Sequence, residues 1–377
     1  MTIPMDQPDP RTGPAVEQSA EKPHLARLTT APRQHSDTAP LLQVEDLTVQ
    51  FGTEDGVVNA VRGVSYSLAE REVLAIVGES GSGKSVSSLA VMGLLPKSAR
   101  VTGKILLEGE NVLEMPIKQQ RSLRGRRIAM VFQDPMTALN PVYSIGDQLA
   151  EAVRSHEYVS KKVALGRAVE MLDLVGIPQP KERLRAYPHE FSGGMRQRVM
   201  IAMAVINSPD VIIADEPTTA LDVTVQAQIL EKLLEVKDAV NAAIVLITHD
   251  LGVVAGIAHR TLVMYAGKAV ELGSTREVFA APRMPYTAGL LGSIPSLENA
   301  GGRLRPIPGA PPSLINMPDG CPFSPRCPLV TDECLTREPP LYATDQHDHV
   351  AACHHWMRLA DLPDPQTIFR AQGVSAQ

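Results

Sequence analysis

Residues 78–85, GESGSGKS, combine glycines with a lysine and a serine in a pattern suited to phosphate chemistry. The glycines let the backbone curl into a ring of N–H donors at a helix N-terminus. Lys84 can reach the β- and γ-phosphates of a nucleotide, and the Ser85 hydroxyl can bind Mg²⁺. Because an apolar run precedes this loop and a helical pattern follows it, a glycine-rich turn without a ligand is the weaker interpretation, and the segment predicts a phosphate site.

Two adjacent carboxylates, Asp215 and Glu216, end a second apolar run, VIIADEP. Open parallel sheets bind ligands at the carboxyl ends of their strands, so these side chains are expected near the phosphate loop. Asp215 is predicted to organise Mg²⁺, and Glu216 is predicted to polarise the water that attacks the γ-phosphate. Acidic pairs at strand ends are common, so this prediction depends on the loop that accompanies it.

A second glycine-rich helix start, FSGGMRQR at residues 191–198, precedes the apolar pattern VMIAMAVI. One nucleotide does not need two phosphate loops from one chain. The sequence therefore predicts a dimer, in which this second helix start serves the nucleotide of the partner.

The order of these motifs resembles that of the ATP-binding subunit of an ABC transporter. Gln133 in VFQDP lies between the phosphate loop and Ser-Gly-Gly, and ADEPTTALD and the lone His249 in ITHD follow. The resemblance covers residues 42–280. It implies a P-loop α/β core with a mixed, mostly parallel sheet, an antiparallel β subdomain and a helical subdomain.

The resemblance also implies roles for individual residues. Glu216, His249 and Gln133 would be catalytic, and Ser85, Gln133 and Asp215 would hold Mg²⁺. The implied nucleotide contacts are Phe51, Gly78, Ser80, Gly81, Ser82, Gly83, Lys84, Ser85, Val86, Ser192, Gly193, Gly194 and Asp222. Within this set the aromatic ring would stack on adenine, the Ser-Gly-Gly would act in trans and the aspartate would link the two sites. Met195 departs from the family, where many members carry glutamine, but the glycines before it are intact.

Composition along the chain predicts three regions. Residues 1–40 are rich in Pro, Gln, Ser and Thr and are predicted to be a disordered tail. Residues 41–290 are predicted to form the ATPase domain, with the helical subdomain at about 134–200. Residues 291–377 are predicted to be a Pro-rich linker followed by a Cys-rich C-terminal extension.

Four segments give a narrower resemblance, to the oligopeptide/dipeptide importer subclass. They are NPVYSIGDQL, PYTAGLLGSIP, PIPGAPPSL and the cysteine-containing stretch from residue 321. The implied function is ATP hydrolysis that powers the import of short peptides. Other solutes, such as nickel or a glutathione-like molecule, are alternatives, as is a soluble ABC ATPase of repair or translation. The chain lacks the long coiled-coil insertion and the tandem cassettes of those soluble classes.

The four cysteines are separated by five, six and eighteen residues, without a C-x₂-C pair. In a reducing compartment such a group is more often a metal or cofactor site than a pair of disulfides. The spacing favours a [4Fe–4S] cluster held by Cys321, Cys327, Cys334 and Cys353, as the resemblance also implies. Zinc is the alternative, with extra ligands available from His347, His349, His354 and His355. Unliganded or paired thiols remain a third, and a redox-sensing role is open. The histidines are more simply interpreted as a solvated polar end.

The net charge of −6 gives no basic surplus that would suggest a nucleic-acid partner. No apolar stretch approaches the roughly 18 to 20 residues needed to cross a bilayer, and we expect no signal peptide.

The expected location is the cytoplasmic face of the cell membrane, peripherally bound. The resemblance implies two permease subunits, a second homologous ATPase subunit with a heterodimer favoured over a homodimer, and an extracytoplasmic peptide-binding protein. The segment MTALNPVYSIGDQL is expected to receive a permease helix.

Overall fold

A computed structural model describes residues 39–219, 221–293 and 307–369. The predicted tail falls almost wholly outside these ranges, as does much of the predicted linker. The strands are β1 (Leu42–Thr53), β2 (Gly56–Leu68), β3 (Val73–Val77), β4 (Ala99–Leu107), β5 (Glu110–Asn111), β6 (Ile128–Val131), β7 (Val211–Asp215), β8 (Ala243–Ile247), β9 (Arg260–Tyr265), β10 (Lys268–Ser274), β11 (Tyr342–Ala343) and β12 (Val350–Ala351).

The strands form two sheets. A four-stranded antiparallel sheet has the order β2-β1-β4-β5, and an eight-stranded mixed sheet has the order β11-β12-β10-β9-β3-β8-β7-β6. In the larger sheet β6, β7, β8, β3 and β9 run parallel. The central strands VLAIV, VIIAD and AIVLI are buried at every position, as expected for parallel strands covered on both faces.

Most helices lie between successive strands, five of them in one longer insertion between β6 and β7, and the last described helix follows β12. They are α1 (Lys84–Val91), α2 (Ile117–Leu123), α3 (Pro135–Ala138), α4 (Ile145–Arg154), α5 (Lys161–Leu174), α6 (Pro180–Arg183), α7 (Gly193–Val205), α8 (Val223–Val240), α9 (Leu251–Ile257), α10 (Thr275–Ala280), α11 (Pro285–Gly292), α12 (Asp332–Thr336) and α13 (Trp356–Ala360). In the described ranges, none of these helices has the length and apolarity needed to cross a bilayer.

Helix α5 illustrates why the insertion is helical. Its buried residues Ala164, Ala168, Met171 and Leu172 recur at helical spacing, and the Ser160 side chain caps its first turn by accepting a hydrogen bond from the Val163 N–H. The range of the predicted helical subdomain, residues 134–200, contains α3–α6 and the first eight residues of α7.

Two hydrophobic cores hold the elements together. The first lies between the small sheet, α1 and one face of the large sheet, and includes Leu42, Leu74 and Ile213. The second lies on the other face of the large sheet and combines Val77 and Tyr265 with Phe323 and the buried cysteines. The C-terminal residues therefore share a core with the central strands. Their strand β12 also pairs with β10 and extends the large sheet.

Candidate functional site

The phosphate loop joins β3 to α1 in a conformation that requires glycine. Gly78 and Gly83 have φ values of 149° and 98°. A Cβ at Gly83 would lie 2.4 Å from the Ala60 carbonyl oxygen, and one at Gly78 would lie 2.2 Å from the Met264 carbonyl oxygen. The backbone of the loop is thus packed directly against neighbouring backbone. A side chain at either position would displace the N–H groups that follow.

Lys84 begins α1 and is almost fully buried. Its Nζ donates hydrogen bonds to the carbonyl oxygens of Gly78 at 2.8 Å and Glu79 at 2.9 Å. Burial lowers the pKa of Lys84, while the nearby carboxylates Glu216 and Asp215 oppose that change. An ammonium group removed from water in this way would be stabilised by an anionic phosphate.

Ser85 and Asp215 meet across the strand edge. The Ser85 hydroxyl donates to Oδ1 of Asp215 at 2.9 Å. Burial raises the pKa of Asp215; the Ser85 hydrogen bond and Lys84 lower it, and Glu216 raises it further. A hydroxyl and a carboxylate side by side are the hard oxygen ligands that suit Mg²⁺.

Glu216 lies just beyond β7 with a left-handed backbone, φ 45°. Its N–H donates to the Ile247 carbonyl at 2.8 Å, which ties the residue to the end of β8. Oε2 of Glu216 accepts hydrogen bonds from Thr219 Oγ1 at 2.8 Å and Gln133 Nε2 at 3.1 Å. Nδ1 of His249 lies 3.5 Å from the same oxygen. Two of the residues predicted to be catalytic, Gln133 and His249, therefore converge on one carboxylate oxygen of the third, Glu216. Sequence reasoning missed Thr219, whose signal is its position three residues after Glu216.

The second glycine-rich helix start is formed as predicted, at α7. The Ser192 side chain accepts a hydrogen bond from the Met195 N–H at 3.3 Å and so caps this helix. A Cβ at Gly194 would lie 2.8 Å from Val225, so α7 packs closely against the start of α8. Asp222 caps α8 by accepting from the Val225 N–H at 3.0 Å. The two predicted trans-acting motifs are thus neighbours, at helix starts distinct from that of the phosphate loop.

The remaining predicted contacts lie around the loop. Phe51, in β1, and Val86, in α1, are half-buried against the first core. Ser80 and Gly81 are exposed on the loop, whereas Ser82 is buried. Among the described residues, the Ser82 hydroxyl has no hydrogen-bond partner.

The four cysteines line one cavity, whose other walls include Met284, Phe323, Leu329 and Ala352. Burial raises the pKa of Cys321 to about 11, and of Cys327 and Cys353 to about 12. Backbone N–H groups oppose this rise, from Phe323 and Ser324 at Cys321, from Leu329 at Cys327 and from His355 at Cys353. Within the described ranges, no three His, Cys, Asp or Glu side chains are grouped so as to hold a metal ion.

The interpretation of the C-terminal histidines as a solvated end is wrong for three of them. Nε2 of the fully buried His349 lies 2.8 Å from Oε1 of Glu271. His354 contacts the Tyr342 hydroxyl, and His355 contacts the Thr331 hydroxyl at 2.7 Å. His347 is exposed as predicted. Packing of the extension onto the core sheet brings His349 to Glu271, 78 residues away in sequence, whereas His354 and His355 contact partners within the extension, 12 and 24 residues away.

Comparisons with known proteins place the site in context. The family model "ABC transporter" matches residues 61–219, and "Oligopeptide/dipeptide transporter, C-terminal region" matches residues 270–334. An oligopeptide transport ATP-binding protein of Mycobacterium tuberculosis is 58% identical over 317 residues, which are 84% of this chain and 52% of that protein. A dipeptide transport ATP-binding protein of Bacillus subtilis is 56% identical over 290 residues, 76% of this chain and 87% of that protein. The chain thus spans about half the length of the mycobacterial relative.

Solved structures resemble the chain over a shorter stretch. A dimeric bacterial ABC transporter cassette matches with a TM-score of 0.55 and 25% identity, over 62% of this chain and 99% of that one. A cassette of Clostridium perfringens, described as part of an ABC transporter complex, matches with a TM-score of 0.54 and 29% identity, over 64% and 91% of the two chains. The matched portion of the chain therefore has the fold of an ABC transporter cassette.

Proposed function

We propose that this chain, which belongs to the ATP-binding proteins of ABC transporters in their oligopeptide/dipeptide branch, hydrolyses ATP to power the import of short peptides. The observation that carries the proposal is the convergence of Gln133, His249 and Glu216 at the strand edge that also holds Lys84 and Asp215. The match of residues 270–334 to the peptide-transporter C-terminal region supports the solute class.

The residues divide the work by their chemistry. Lys84 and the N–H groups of the phosphate loop bind the β- and γ-phosphates. Ser85, Asp215 and Gln133 would hold Mg²⁺, which when bound neutralises charge on the phosphates. Glu216 orients and deprotonates the attacking water, while His249 and Gln133 hold the carboxylate and the water in line with the γ-phosphate.

The remaining positions complete the site across a dimer. Ser192, Gly193 and Gly194 would contact the γ-phosphate bound by the partner. Asp222 would link the two ATP sites across the dimer. Their place at separate helix starts supports this role. The proposed partners are a homologous ATPase subunit, preferably a different chain, two permease subunits and an extracytoplasmic peptide-binding protein. The proposed location is the cytoplasmic face of the cell membrane.

The proposed catalytic role of Glu216 is tested by Glu216→Gln, which keeps the hydrogen bonds to Thr219 and Gln133 but removes the base. Phosphate release should fall by about 100-fold or more, while ATP binding persists and the closed dimer accumulates in light scattering. The exposed Glu110→Gln variant is the control, with turnover unchanged. Turnover near the wild-type rate in Glu216→Gln would refute the role.

The four cysteines line one cavity, although within the described residues they are not grouped as metal ligands are, and we propose that they hold a [4Fe–4S] cluster, with zinc as the alternative. Supporting observations are the shared cavity and the His355 N–H, which lies 3.3 Å from Cys353 Sγ, since hydrogen bonds to sulfur tune thiolates bound to metal. Such a cluster would stabilise the fold of the C-terminal extension and could also be oxidised and reduced. Anaerobically purified protein should be brown and contain about four iron and four sulfide per chain. Stoichiometric zinc in colourless protein would support the alternative. Protein that contains neither iron nor zinc would refute both assignments.

A further inference from the structure

One ion pair joins the cysteine segment to the phosphate loop. Arg326, directly before Cys327, makes a two-pronged contact with Glu79, its Nη1 and Nη2 lying 2.7 and 2.8 Å from the two carboxylate oxygens. The arginine side chain is 4% exposed and the glutamate side chain 26%. The two residues are 247 positions apart in the chain. A buried, bidentate pair of this kind fixes orientation as well as distance.

The guanidinium group is held from every side. Nε donates to the Pro308 carbonyl at 2.9 Å, and Nη1 lies 3.3 Å from the Tyr265 hydroxyl. The rings of Tyr265 and Phe323 lie 5.9 and 5.7 Å from its central carbon. The hydrogen bond to Glu79 is the main cause that raises the pKa of Arg326. Arg326 is therefore an immobile anchor built from the cysteine segment and the second core.

The other end of the pair is the first turn of the phosphate loop. The Glu79 N–H donates to the Tyr286 hydroxyl at 2.8 Å, and the Glu79 carbonyl accepts from Lys84 Nζ at 2.9 Å. The same carbonyl also accepts from the Ser82 N–H at 3.2 Å. Both the backbone and the side chain of Glu79 are thus held from outside the loop. The neighbouring glycines leave this loop conformationally permissive without such an anchor.

We propose that Arg326 is a positioning residue of the ATP site, which holds the phosphate loop in its binding shape through Glu79 and so makes nucleotide affinity depend on the cysteine segment. The inference rests on the proposed binding of ATP. Pre-organisation of this kind lowers the cost of ordering the N–H donors when phosphate binds. Because Arg326 lies between Cys321 and Cys327, a change at the cysteine cavity would be transmitted to the loop.

The proposal differs from simple charge neutralisation, and Glu79→Ala separates the two. If Arg326 only cancels a carboxylate that repels phosphate, Glu79→Ala should leave ATP binding unchanged or tighter. If it positions the loop, Glu79→Ala should weaken ATP binding at least 5-fold and speed amide hydrogen exchange in residues 78–85, because the anchor is lost. This variant leaves the cysteine segment intact, so it also serves if Arg326 variants fail to fold.

Arg326→Met should likewise raise the KM for ATP at least 5-fold, with a smaller change in kcat at saturating ATP. Arg326→Lys should recover part of the ATP affinity. The double variant Glu79→Ala, Arg326→Met should bind ATP no more weakly than whichever single variant has the lower affinity. Arg337→Met, an exposed arginine of the same segment, is the control. Unchanged ATP affinity and loop exchange in Glu79→Ala, or additive effects in the double variant, would overturn the proposal. Failure of wild-type protein to bind ATP would instead refute the proposed function.

Discussion

Asp215 and Lys84 are charged side chains whose burial disfavours their ionised forms. Burial raises the pKa of Asp215 and lowers that of Lys84, so the folded state disfavours the ionised form of each. Neither shift serves the stability of the protein without nucleotide. A phosphate group bound beside Lys84 and a cation bound beside Asp215 would favour the ionised form of each side chain.

Asp215→Asn should therefore stabilise the nucleotide-free protein at pH 7 by about 1 kcal/mol. The folded-state pKa of Asp215 lies above the unfolded value, so its cost is present at neutral pH and disappears as the pH falls below the unfolded pKa. The advantage of asparagine should accordingly shrink between pH 7 and pH 4. Urea unfolding at several pH values measures it, with the exposed Asp173→Asn as control. A less stable Asp215→Asn protein at pH 7 would contradict the prediction.

At this scale the sequence predicts residues that act through local patterns. Lys84 and Ser85 follow from one eight-residue motif, and Asp215 and Glu216 follow from the end of one apolar strand. Arg326 could not be predicted in the same way, because its partner Glu79 lies 247 residues away and only packing brings them together.

Two roles of Ser192 meet at the start of α7, the helix cap and the proposed contact with the partner's γ-phosphate. Ser192→Ala should lose both, with about 1 kcal/mol of stability. Ser192→Asp keeps a cap acceptor but places a negative charge against the phosphate, so stability should persist while ATP turnover falls at least 10-fold. Thermal unfolding and phosphate release measure the two effects. Ser160→Asp, at the cap of α5, is the control for both. Full turnover in Ser192→Asp would exclude the phosphate contact.

A fully buried carboxylate, that of Glu271, lies where β12 pairs with β10. Glu271, in β10, accepts hydrogen bonds from His349 Nε2 and from the backbone N–H groups of Arg283 and Met284. His349 also contacts the Gln346 side chain through Nδ1. The histidine thereby fixes the C-terminal strand pair to the core.

His349→Leu should cost about 2 to 4 kcal/mol of unfolding free energy, because it removes the one side-chain partner among the three described donors to a buried carboxylate. His349→Gln retains an N–H donor and should cost less. Hydrogen exchange should become faster in residues 342–351 first. The exposed His347→Leu variant should match the wild type, and equal stability of His349→Leu and wild type would show that the pair contributes nothing.

Long, regular elements were predictable, whereas β11 and β12 were not. The helical period of residues 224–240 and the apolar runs of β7 and β8 each carry their own signal. Strands of two residues carry no period, and their position is set by contacts with Glu271 and Leu272 that are distant in sequence. The same packing explains why His349 is buried rather than solvated.

At the scale of the whole molecule, the second core makes the cysteine cavity and the nucleotide loop parts of one packed unit. Cys321, Phe323 and Tyr286 belong to the same core as Val77, the residue directly before the phosphate loop. Rearrangement of one wall of this core must be accommodated by the others, since packed interiors deform little. Changes at the cysteine cavity and at the phosphate loop are therefore expected to be coupled.

The proposed contact with a permease is tested on the loop that leads into α4. Val142 is 72% exposed and Tyr143 is 54% exposed, while the backbone around them is fixed by the buried Gln148, whose Nε2 donates to the Asn140 and Tyr143 carbonyls. Apolar side chains held outward on a rigid loop suit a partner helix with an apolar face.

Val142→Asp should therefore reduce peptide uptake in reconstituted membranes at least 10-fold and weaken co-purification with the permeases. ATP binding and ATP turnover of the isolated chain should stay within about 2-fold of wild type, because Val142 is exposed on a loop separate from the phosphate loop and from Glu216. Ile117→Asp, at an apolar residue of α2 that is 59% exposed, should transport normally. Unchanged uptake with Val142→Asp would remove this loop from the permease contact, whereas loss of both uptake and basal turnover would mean that the substitution disturbed the cassette itself.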